Sequence, residues 1–348
     1  MLATPAAGID ISDASIKWMV IEETARGYDV AAHGETPLSQ GVVVSGSIKD
    51  VAALTAALAD VRRQLRGASF AHAALPEEAA YVFEMHVPER TSHEQTRSLI
   101  EFEFEGRVPI PPEAAVFDFD VIQKRDEGAG EEIGVAVFPR ELAESYVAAF
   151  EGAGITLLSL ELEARSIARA ITPESDRAVT LLVDFGRART GFAVLKCGIP
   201  IFTSTVEVGG DSITRALTQT LSLSPEEAMR FRNERGLLAD PKTKGLDALA
   251  GVASALSDEV ARHYHYWDTR RNERGERMTP VSKVVLVGGS SNLRGLTDYI
   301  AGRVQAPASR GEVWTRVYDM GRAVPPLDSR TSLQYATAIG LALRAYIV

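Results

Sequence analysis

The sequence predicts an α/β protein of two lobes, each built on a copy of the same strand unit, with a small α+β module inserted between the copies. Two observations support this prediction. Residues 8–37 and 179–208 both follow a strand–loop–strand–turn–strand pattern, and the first strand ends in Asp10 or Asp184. Residues 77–156, between the copies, alternate short strands with amphipathic helices in an order typical of an α+β unit.

The composition excludes several classes of protein. The 348 residues are 45% hydrophobic, and 47 acidic against 37 basic side chains give a net charge of −10. Such a surface cannot neutralise a nucleic-acid backbone or adhere to anionic lipid, and no uncharged apolar run approaches the ~18 residues of a membrane span. The N-terminus lacks signal-peptide features, and the single cysteine, Cys197, excludes an internal disulfide. We expect a cytoplasmic protein.

The first copy consists of three predicted strands followed by a helix and a buried strand. GIDISDASIKWMVIEE forms a strand to Asp10, a tight loop and a second strand, and Arg26-Gly27 turns the chain into YDVAAHGETP. Apolar residues at helical spacing then predict a helix over VAALTAALADVRRQLRG, closed by Gly67. FAHAALPEE reads as a short buried strand.

The inserted segment begins with a strand, YVFEMHVP, and an amphipathic helix, TSHEQTRSLIEFEFEGRV. Leu99 and Phe102 form the stripe that we expect to pack inward. The strands AVFDFDVIQ and IGVAVFP follow, joined by the turn KRDEGAGEE, and the helix RELAESYVAAFEGAG ends the segment.

The second copy repeats the first in spacing. Asp10 and Lys17 are seven positions apart, as are Asp184 and Gly191, and Gly198 turns TGFAVLKC into PIFTSTVEV. A helix follows with Asp211 as its predicted N-cap, and a second helix opens on a capping box at Ser224.

The remaining elements complete the second lobe. We expect a polar connection over 237–250, a long helix over 252–274, and a strand, glycine turn and helix over SKVVLVGGSSNLRGLTDYIAGRV. The alanine-rich SLQYATAIGLALRAYI must be a buried helix. His263 and His265 point to different faces of a helix, so HYHYW is not a metal motif. Trp314 and Val317 are predicted core residues.

Together these motifs resemble the actin-like nucleotide-binding superfamily and, within it, the type IV pilus assembly protein PilM family. GIDISDASIK and VDFGRART resemble its two phosphate loops, and VLVGGSSNLRGL its adenosine-binding turn. EFEGRVPIPPEAAVFDFDVI and VAVFPRELAESYVAAFEGAGITLLSLELEARSIARAI resemble the inserted subdomain of the PilM family. The resemblance implies an actin-like (ribonuclease H-like) two-lobed duplicated fold. Its expected parts are a first core subdomain (1–76, 157–176 and 331–348), an inserted subdomain (77–156), a second core subdomain (177–212 and 280–330) and a helical subdomain over the cleft (213–279).

The same resemblance implies a site for ATP or ADP with Mg²⁺ in the cleft between the lobes. Asp10 and Asp184 would hold the metal through its waters, since Mg²⁺ gives up water reluctantly. Tight turns would present backbone N–H groups to the phosphates. The expected nucleotide-binding residues are Asp10, Ser12, Asp13, Ser15, Lys17, Asp184, Gly186, Arg187, Arg189, Thr190, Gly209, Gly210, Arg232, Gly288, Gly289 and Ser290.

The sequence departs from the family pattern in both phosphate loops. Ser12 and Asp13 stand where glycine and a hydroxyl residue are usual, and an acidic side chain facing a triphosphate is unfavourable by about 1 kcal/mol or more. Arg187 and Arg189 replace small residues in the second loop. Two interpretations follow: either the arginines bind phosphate, or Asp13 pairs with one of them and fills the place of the nucleotide.

A departure also occurs at the ribose side, where Met229 replaces glutamate and Arg232 replaces lysine. The sequence offers no recognisable base to activate water, so it favours a nucleotide-binding or pseudo-ATPase scaffold over an efficient ATPase.

By this resemblance the protein is a cytoplasmic scaffold of a type IV pilus or related secretion machine. Its implied partner is the N-terminal tail of an inner-membrane PilN-like protein, bound between the first domain and the inserted subdomain. The partner would hold it at the membrane, and self-association is a further expectation. A filament-forming FtsA-like division protein and a small-molecule kinase or phosphatase of the same superfamily are the alternatives.

Overall fold

The computed structural model describes residues 5–25, 27–124, 130–240, 242–271 and 275–346. The predicted turns at Arg26 and within 125–129 therefore lie wholly or partly outside the described residues. The chain as far as the second lobe contains β1 (Ala6–Ile11), β2 (Ser15–Thr24), β3 (Gly27–Pro37), β4 (Val43–Val44), β5 (Ser47–Ile48), α1 (Val51–Arg62), β6 (Phe70–Leu75), β7 (Tyr81–Val87), α2 (His93–Arg107), β8 (Ala115–Lys124), β9 (Glu131–Pro139), α3 (Arg140–Gly152), β10 (Thr156–Leu162) and α4 (Glu163–Ile171).

The second lobe and the C-terminal part follow the same alternation of strands and helices. Their elements are β11 (Val179–Phe185), β12 (Thr190–Lys196), β13 (Ile199–Val206), α5 (Gly210–Leu221), α6 (Pro225–Glu234), α7 (Leu246–Thr269), β14 (Val281–Val287), α8 (Leu296–Val304), β15 (Ala308–Arg310) and α9 (Ala336–Leu343). Among the described residues, none of these helices combines the length and apolar character that crossing a bilayer requires.

The two large sheets have the same topology, which confirms the predicted duplication. The strand orders are β3-β2-β1-β6-β10 in the first lobe and β13-β12-β11-β14-β15 in the second. Each sheet has two antiparallel hairpins followed by two parallel strands. The registers also correspond, because Asp10 lies opposite Lys17 and Asp184 lies opposite Gly191. The aspartates thus occupy equivalent positions in the two lobes.

The inserted module is a three-stranded antiparallel sheet, β7-β9-β8, covered by α2. Its own core includes Phe83, Ile100, Phe104 and Val135. The helix α3, which the sequence predicted at the end of this module, packs instead against α1 and joins the core of the first lobe through Tyr146 and Phe150.

The inward face of α2 differs from the prediction. Phe102 is 81% exposed and Leu99 is 36% exposed, whereas Ile100 and Phe104 are buried together with Thr96. Residues 96, 100 and 104 are four apart and therefore lie on one face of a helix. The sequence placed two apolar stripes on this helix, and the prediction chose the wrong one.

The start of α5 and both ends of α7 also differ from the prediction. The N-cap of α5 is Gly209 and not Asp211, which lies in the first turn. The long helix α7 covers 246–269 rather than 252–274, so it takes up the end of the predicted connection 237–250. The capping box at Ser224 is confirmed, with Ser224 Oγ accepting from the N–H of Glu227. Trp314 and Val317 are buried as predicted.

The alanine-rich α9 lies buried between the lobes, packing on β1 and crossing α4. All eight residues of α9 are buried. The crossing is close, because a Cβ added at Gly340 would overlap the carbonyl oxygen of Ser166 in α4. Arg169 of α4, itself buried, donates to Glu161 Oε1 at 2.6 Å and to the carbonyl of Gly340 at 2.9 Å, so the two helices are held together by hydrogen bonds as well as by contact.

We predict that Gly340→Ala lowers the free energy of unfolding by about 2 kcal/mol or more, because the methyl group must force the two helix backbones apart. The matched control is Gly251→Ala in α7, where a Cβ meets nothing within 4 Å. This control should raise the free energy of unfolding by about 0.5–1 kcal/mol through the better helix propensity of alanine. Urea denaturation measures both, and equal effects would contradict the packing described.

Candidate functional site

The ends of the parallel strands bring four carboxylates to the cleft between the lobes. The strands β1, β6 and β10 are parallel, so their carboxyl ends meet at one edge of the first sheet. Asp10 lies near the end of β1, Glu77 just after β6, and Glu163 just after β10. Asp184, near the end of β11, faces them from the second lobe. We call these four residues the acidic group.

Burial and mutual repulsion raise the pKa of every member of the acidic group. Burial, together with the charge of Asp10, raises the pKa of Asp184 to about 7. Burial and Asp184 raise the pKa of Glu77 to about 8. The pKa of Glu163 is raised well above its usual range by burial and Glu77, and that of Asp10 is also raised by burial. These carboxyls therefore do not all ionise at neutral pH unless a cation joins them.

Glu77 and Glu163 were not predicted as site residues. Each is the first acidic residue after a strand parallel to β1, and this topology was the signal that could have found them. Glu77 also accepts a hydrogen bond from the backbone of Ala164, next to Glu163.

Two glycines pack closely on the acidic group, Gly191 on Glu77 of the other lobe and Gly288 on Asp184 of its own lobe. A Cβ at Gly191 would lie 2.5 Å from Glu77 Oε2. Gly288, with φ of +82°, passes so close to Asp184 that a Cβ would overlap Oδ1. The glycine at 288 is thus required by Asp184 itself, whereas a Cβ at Gly289 would meet only Gln334 at an ordinary contact distance.

An ion-pair network, the cleft cluster of Arg189, Asp13 and Glu78, joins the two lobes in front of the acidic group. Arg189 Nη2 lies 2.7 Å from Asp13 Oδ2, and Arg189 Nε lies 2.8 Å from Glu78 Oε1. This is the pairing of Asp13 with an arginine of the second loop that one of the two interpretations expected. Arg187 pairs instead with Asp211 of its own lobe, at 3.2 Å.

The first loop is closed by its own hydrogen bonds. Ser12 Oγ donates to the carbonyl of Ser15 at 2.9 Å, and Lys17 Nζ donates to Ser15 Oγ at 3.1 Å and pairs with Glu35 at 3.3 Å. Asp13 additionally accepts from the N–H groups of the 45–46 turn. The loop is therefore ordered without a ligand, with Asp13 as its contact to the second lobe.

Most second-lobe residues of the predicted site form hydrogen bonds or close contacts with backbone groups of the same lobe. The N–H of Gly210 donates to the carbonyl of Gly186 at 3.0 Å, and Ser290 Oγ donates to the same carbonyl at 2.8 Å. Thr190 Oγ1 donates to the carbonyl of Val208 at 2.5 Å. A Cβ at Gly209 would overlap the 187–188 backbone. These contacts shape the loops around the cleft.

Arg232 stands at the nucleoside side of the cleft. Its guanidinium lies beside Gly210, and burial lowers its pKa despite the charge of Asp211. Its Nε donates to Asn233 Oδ1 at 3.2 Å. Among the described residues no carboxylate forms an ion pair with Arg232, and a half-buried guanidinium of this kind favours an anionic or polar ligand nearby.

The structure offers no ready-made direct metal centre. Among the described residues, no three His, Cys, Asp or Glu side chains converge as metal ligands, and His263 is packed against Phe192 and Phe202. A pair of carboxylates from opposite lobes does fit a hydrated Mg²⁺, which binds proteins through one or two carboxylates and several waters.

Comparison with known proteins supports the same assignment as the geometry. The family described as "Type IV pilus assembly protein PilM" matches residues 8–346. The chain belongs to this family. A solved PilM-PilN type IV pilus biogenesis complex contains a chain 21% identical to this PilM, with a TM-score of 0.77 and 98% of both chains covered.

Two further solved structures share the fold. The ethanolamine utilization protein EutJ from Carboxydothermus hydrogenoformans is 18% identical, has a TM-score of 0.57, and is matched over 97% of this chain and 89% of its own. MreB5 of Spiroplasma citri, solved bound to AMPPNP, is 12% identical, with a TM-score of 0.53 and coverage of 97% and 94%. The fold of this PilM is therefore actin-like, as the motifs predicted.

We predict that the free energy of unfolding of the metal-free protein falls as pH rises from about 5 to 9. Glu77 and Asp184 keep protons in the folded state that the unfolded chain releases near pH 4, so deprotonation favours unfolding until pH passes their folded pKa values of about 8 and 7. Each such group contributes a slope of up to about 1.4 kcal/mol per pH unit.

Glu77→Gln should flatten this slope, measured by urea denaturation at several pH values in EDTA. The exposed Glu113→Gln variant is the control and should keep the wild-type slope. A wild-type stability that rises over this range would contradict the description of the acidic group.

Proposed function

We propose that this protein is a scaffold of a type IV pilus or related secretion machine. The scaffold binds the N-terminal tail of an inner-membrane PilN-like protein and, weakly, Mg²⁺-ATP. The observation that supports this most strongly is the match to the PilM family over residues 8–346, which includes the inserted module. The similar solved chain comes from a PilM-PilN complex. The partner would hold the protein at the cytoplasmic face of the inner membrane.

The junction of the inserted module with the first lobe is the proposed tail site. Arg165 of α4 forms two hydrogen bonds with Asp120 of β8, at 2.8 and 3.2 Å. Val82 and Val116 of the module pack against the core of the first lobe and remain half-buried. Apolar side chains next to a charged pair suit the recognition of a short peptide.

Asp120→Ala and Arg165→Ala should each weaken binding of a synthetic peptide with the tail sequence of the PilN-like protein by about tenfold, because each leaves its charged partner unpaired. Fluorescence polarisation with the full-length protein measures this. Arg303→Ala, which breaks the exposed pair with Asp258 on the second lobe, is the matched control. Unchanged affinity in both junction variants would place the tail elsewhere.

The cleft is the proposed nucleotide site. Mg²⁺ would join Asp10 and Asp184 through its waters and offset the repulsion within the acidic group. Arg189 is bound to Asp13 and Glu78. Phosphate oxygens would compete with these carboxylates for the guanidinium, and the competition lowers affinity without abolishing the site.

Asp13→Ser should tighten Mg²⁺-ATP binding by about fivefold or more, since it removes a negative charge and a competitor for Arg189. Arg189→Ala should weaken binding, and Asp184→Asn should abolish its Mg²⁺ dependence. A fluorescent ATP analogue titrated with and without Mg²⁺ measures all three. If the wild type shows no saturable binding and Asp13→Ser does not restore it, nucleotide has no place in this protein.

A further inference from the structure

The strand β12 has an ion-pair cluster at each end. Arg189 immediately precedes it and belongs to the cleft cluster. Lys196, its last residue, lies 2.5 Å from Glu132 Oε1 and 3.6 Å from Glu84 Oε2 of the inserted module. Seven residues of extended chain separate the Cα atoms of Arg189 and Lys196 by about 23 Å. One straight element of the second lobe therefore reaches from the nucleotide cleft to the inserted module.

The carboxylates at the two ends also belong to one short stretch of chain. Glu78 precedes β7 and Glu84 lies within it. The segment that leaves the first lobe thus contacts the second lobe twice, once at Arg189 and once at Lys196. Arg270, at the end of α7, adds a third cation, 3.4 Å from Glu84 Oε1. We call Lys196, Arg270, Glu84 and Glu132 the Lys196 cluster.

The Lys196 cluster is partly shielded from water, although its four side chains line a surface pocket. The Glu132 side chain is 5% exposed, and those of Glu84 and Lys196 are 15% and 19% exposed. Although burial opposes ionisation, the Lys196 ammonium holds the pKa of Glu132 below its usual range, while burial raises that of Glu84. Removing the ammonium would leave Glu132 without its closest cation and Glu84 with Arg270 alone, which makes such a cluster costly to separate.

Apolar packing joins the same two surfaces. Ile122 of β8 belongs to the hydrophobic core of the second lobe. A Cβ at Gly134 of β9 would lie 2.7 Å from Ile199 Cγ2 and 2.9 Å from the carbonyl oxygen of Pro200. The module is thus fitted closely to the start of β13. It also contacts the first lobe, through Val82 and Val116 packed on the core of that lobe and through the half-exposed pair of Asp120 with Arg165, whose side chains are 45% and 19% exposed.

We propose that the Lys196 cluster fixes the inserted module to the second lobe, so that the module moves with that lobe when the cleft changes. The module is connected in sequence to the first lobe, but Glu84 and Glu132 of the module form ion pairs with the second lobe. When phosphates draw Arg189 from Asp13 and Glu78, the shift of the second lobe opens or closes the junction between β8 and α4. This regulation of partner binding by nucleotide rests on the proposed function.

A test that needs neither nucleotide nor partner uses hydrogen exchange. Arg189→Ala releases the cleft cluster, so exchange should increase in residues 115–122 and 163–167, at the junction with the first lobe. Residues 81–87 and 197–201 should stay protected, because the Lys196 cluster holds them. In Arg189→Ala/Lys196→Met, both regions should lose protection. If Arg189→Ala exposes the second-lobe side and leaves the junction unchanged, the proposal is wrong.

A binding test uses the tail peptide. In the wild type, saturating Mg²⁺-ATP should change the dissociation constant of the peptide by about fivefold or more. Lys196→Met, which keeps the length of the side chain, should bind nucleotide as the wild type does but reduce that change below about twofold. Lys283→Met, which breaks the pair with Asp176 on the same sheet, is the control and should retain it.

The two failures are distinguishable. A wild type that binds no tail peptide contradicts the proposed function, and the exchange experiment still decides where the module is attached. A Lys196→Met variant with the full nucleotide effect contradicts the inference and leaves the proposed function standing.

Discussion

The rest of the structure depends on the repulsion among four carboxyls, one buried and three half-buried, that two lobes bring to one cleft. Buried like charges cannot all ionise, and the raised pKa values of Asp184 and Glu77 show how the folded chain meets this constraint. Bound protons neutralise carboxylates that a cation would otherwise stabilise. The Arg189 guanidinium in front of the group supplies a positive charge that ties the lobes through Asp13 and Glu78. An acidic cleft of this kind is suited to a metal-bound anion and unsuited to a free one.

The scaffold that imposes this constraint is a duplicated sheet with helices buried between its copies. The close crossing of α4 and α9, with Gly340 against Ser166, sets how near these two helices of the first lobe lie to each other. The hydrogen bonds of Arg169 to Glu161 and to the Gly340 carbonyl stabilise the same crossing. These contacts make the centre of the first lobe rigid.

Much of this architecture could be predicted from the sequence because its signals are local. The equal spacing of Asp10 to Lys17 and of Asp184 to Gly191 reports a shared register, and the capping box at Ser224 reports a helix start. The pairing of Asp13 with an arginine was predicted only as one of two interpretations, because the charges at both loops departed from the family pattern together. The choice of Arg189 over Arg187 was not, since it depends on the three-dimensional course of the second loop.

What the sequence could not supply depends on contacts between distant segments. Glu77 and Glu163 are ordinary acidic residues until the order of the parallel strands places them beside Asp10. The face of α2 was misjudged because Phe102 is the more apolar choice by pattern alone, whereas the module sheet accepts Ile100 and Phe104. The Lys196 cluster joins segments 64 and 112 positions apart and has no sequence signature.

We propose that the acidic group holds protons in the absence of Mg²⁺ and nucleotide and releases them when both bind. Isothermal titration of Mg²⁺-ATP at pH 7 in two buffers of different ionisation enthalpy measures this directly. We predict saturable binding that releases about one proton per site. In Glu77→Gln/Asp184→Asn this proton release should be lost. Binding whose heat is the same in both buffers, and so releases no proton, would contradict the account.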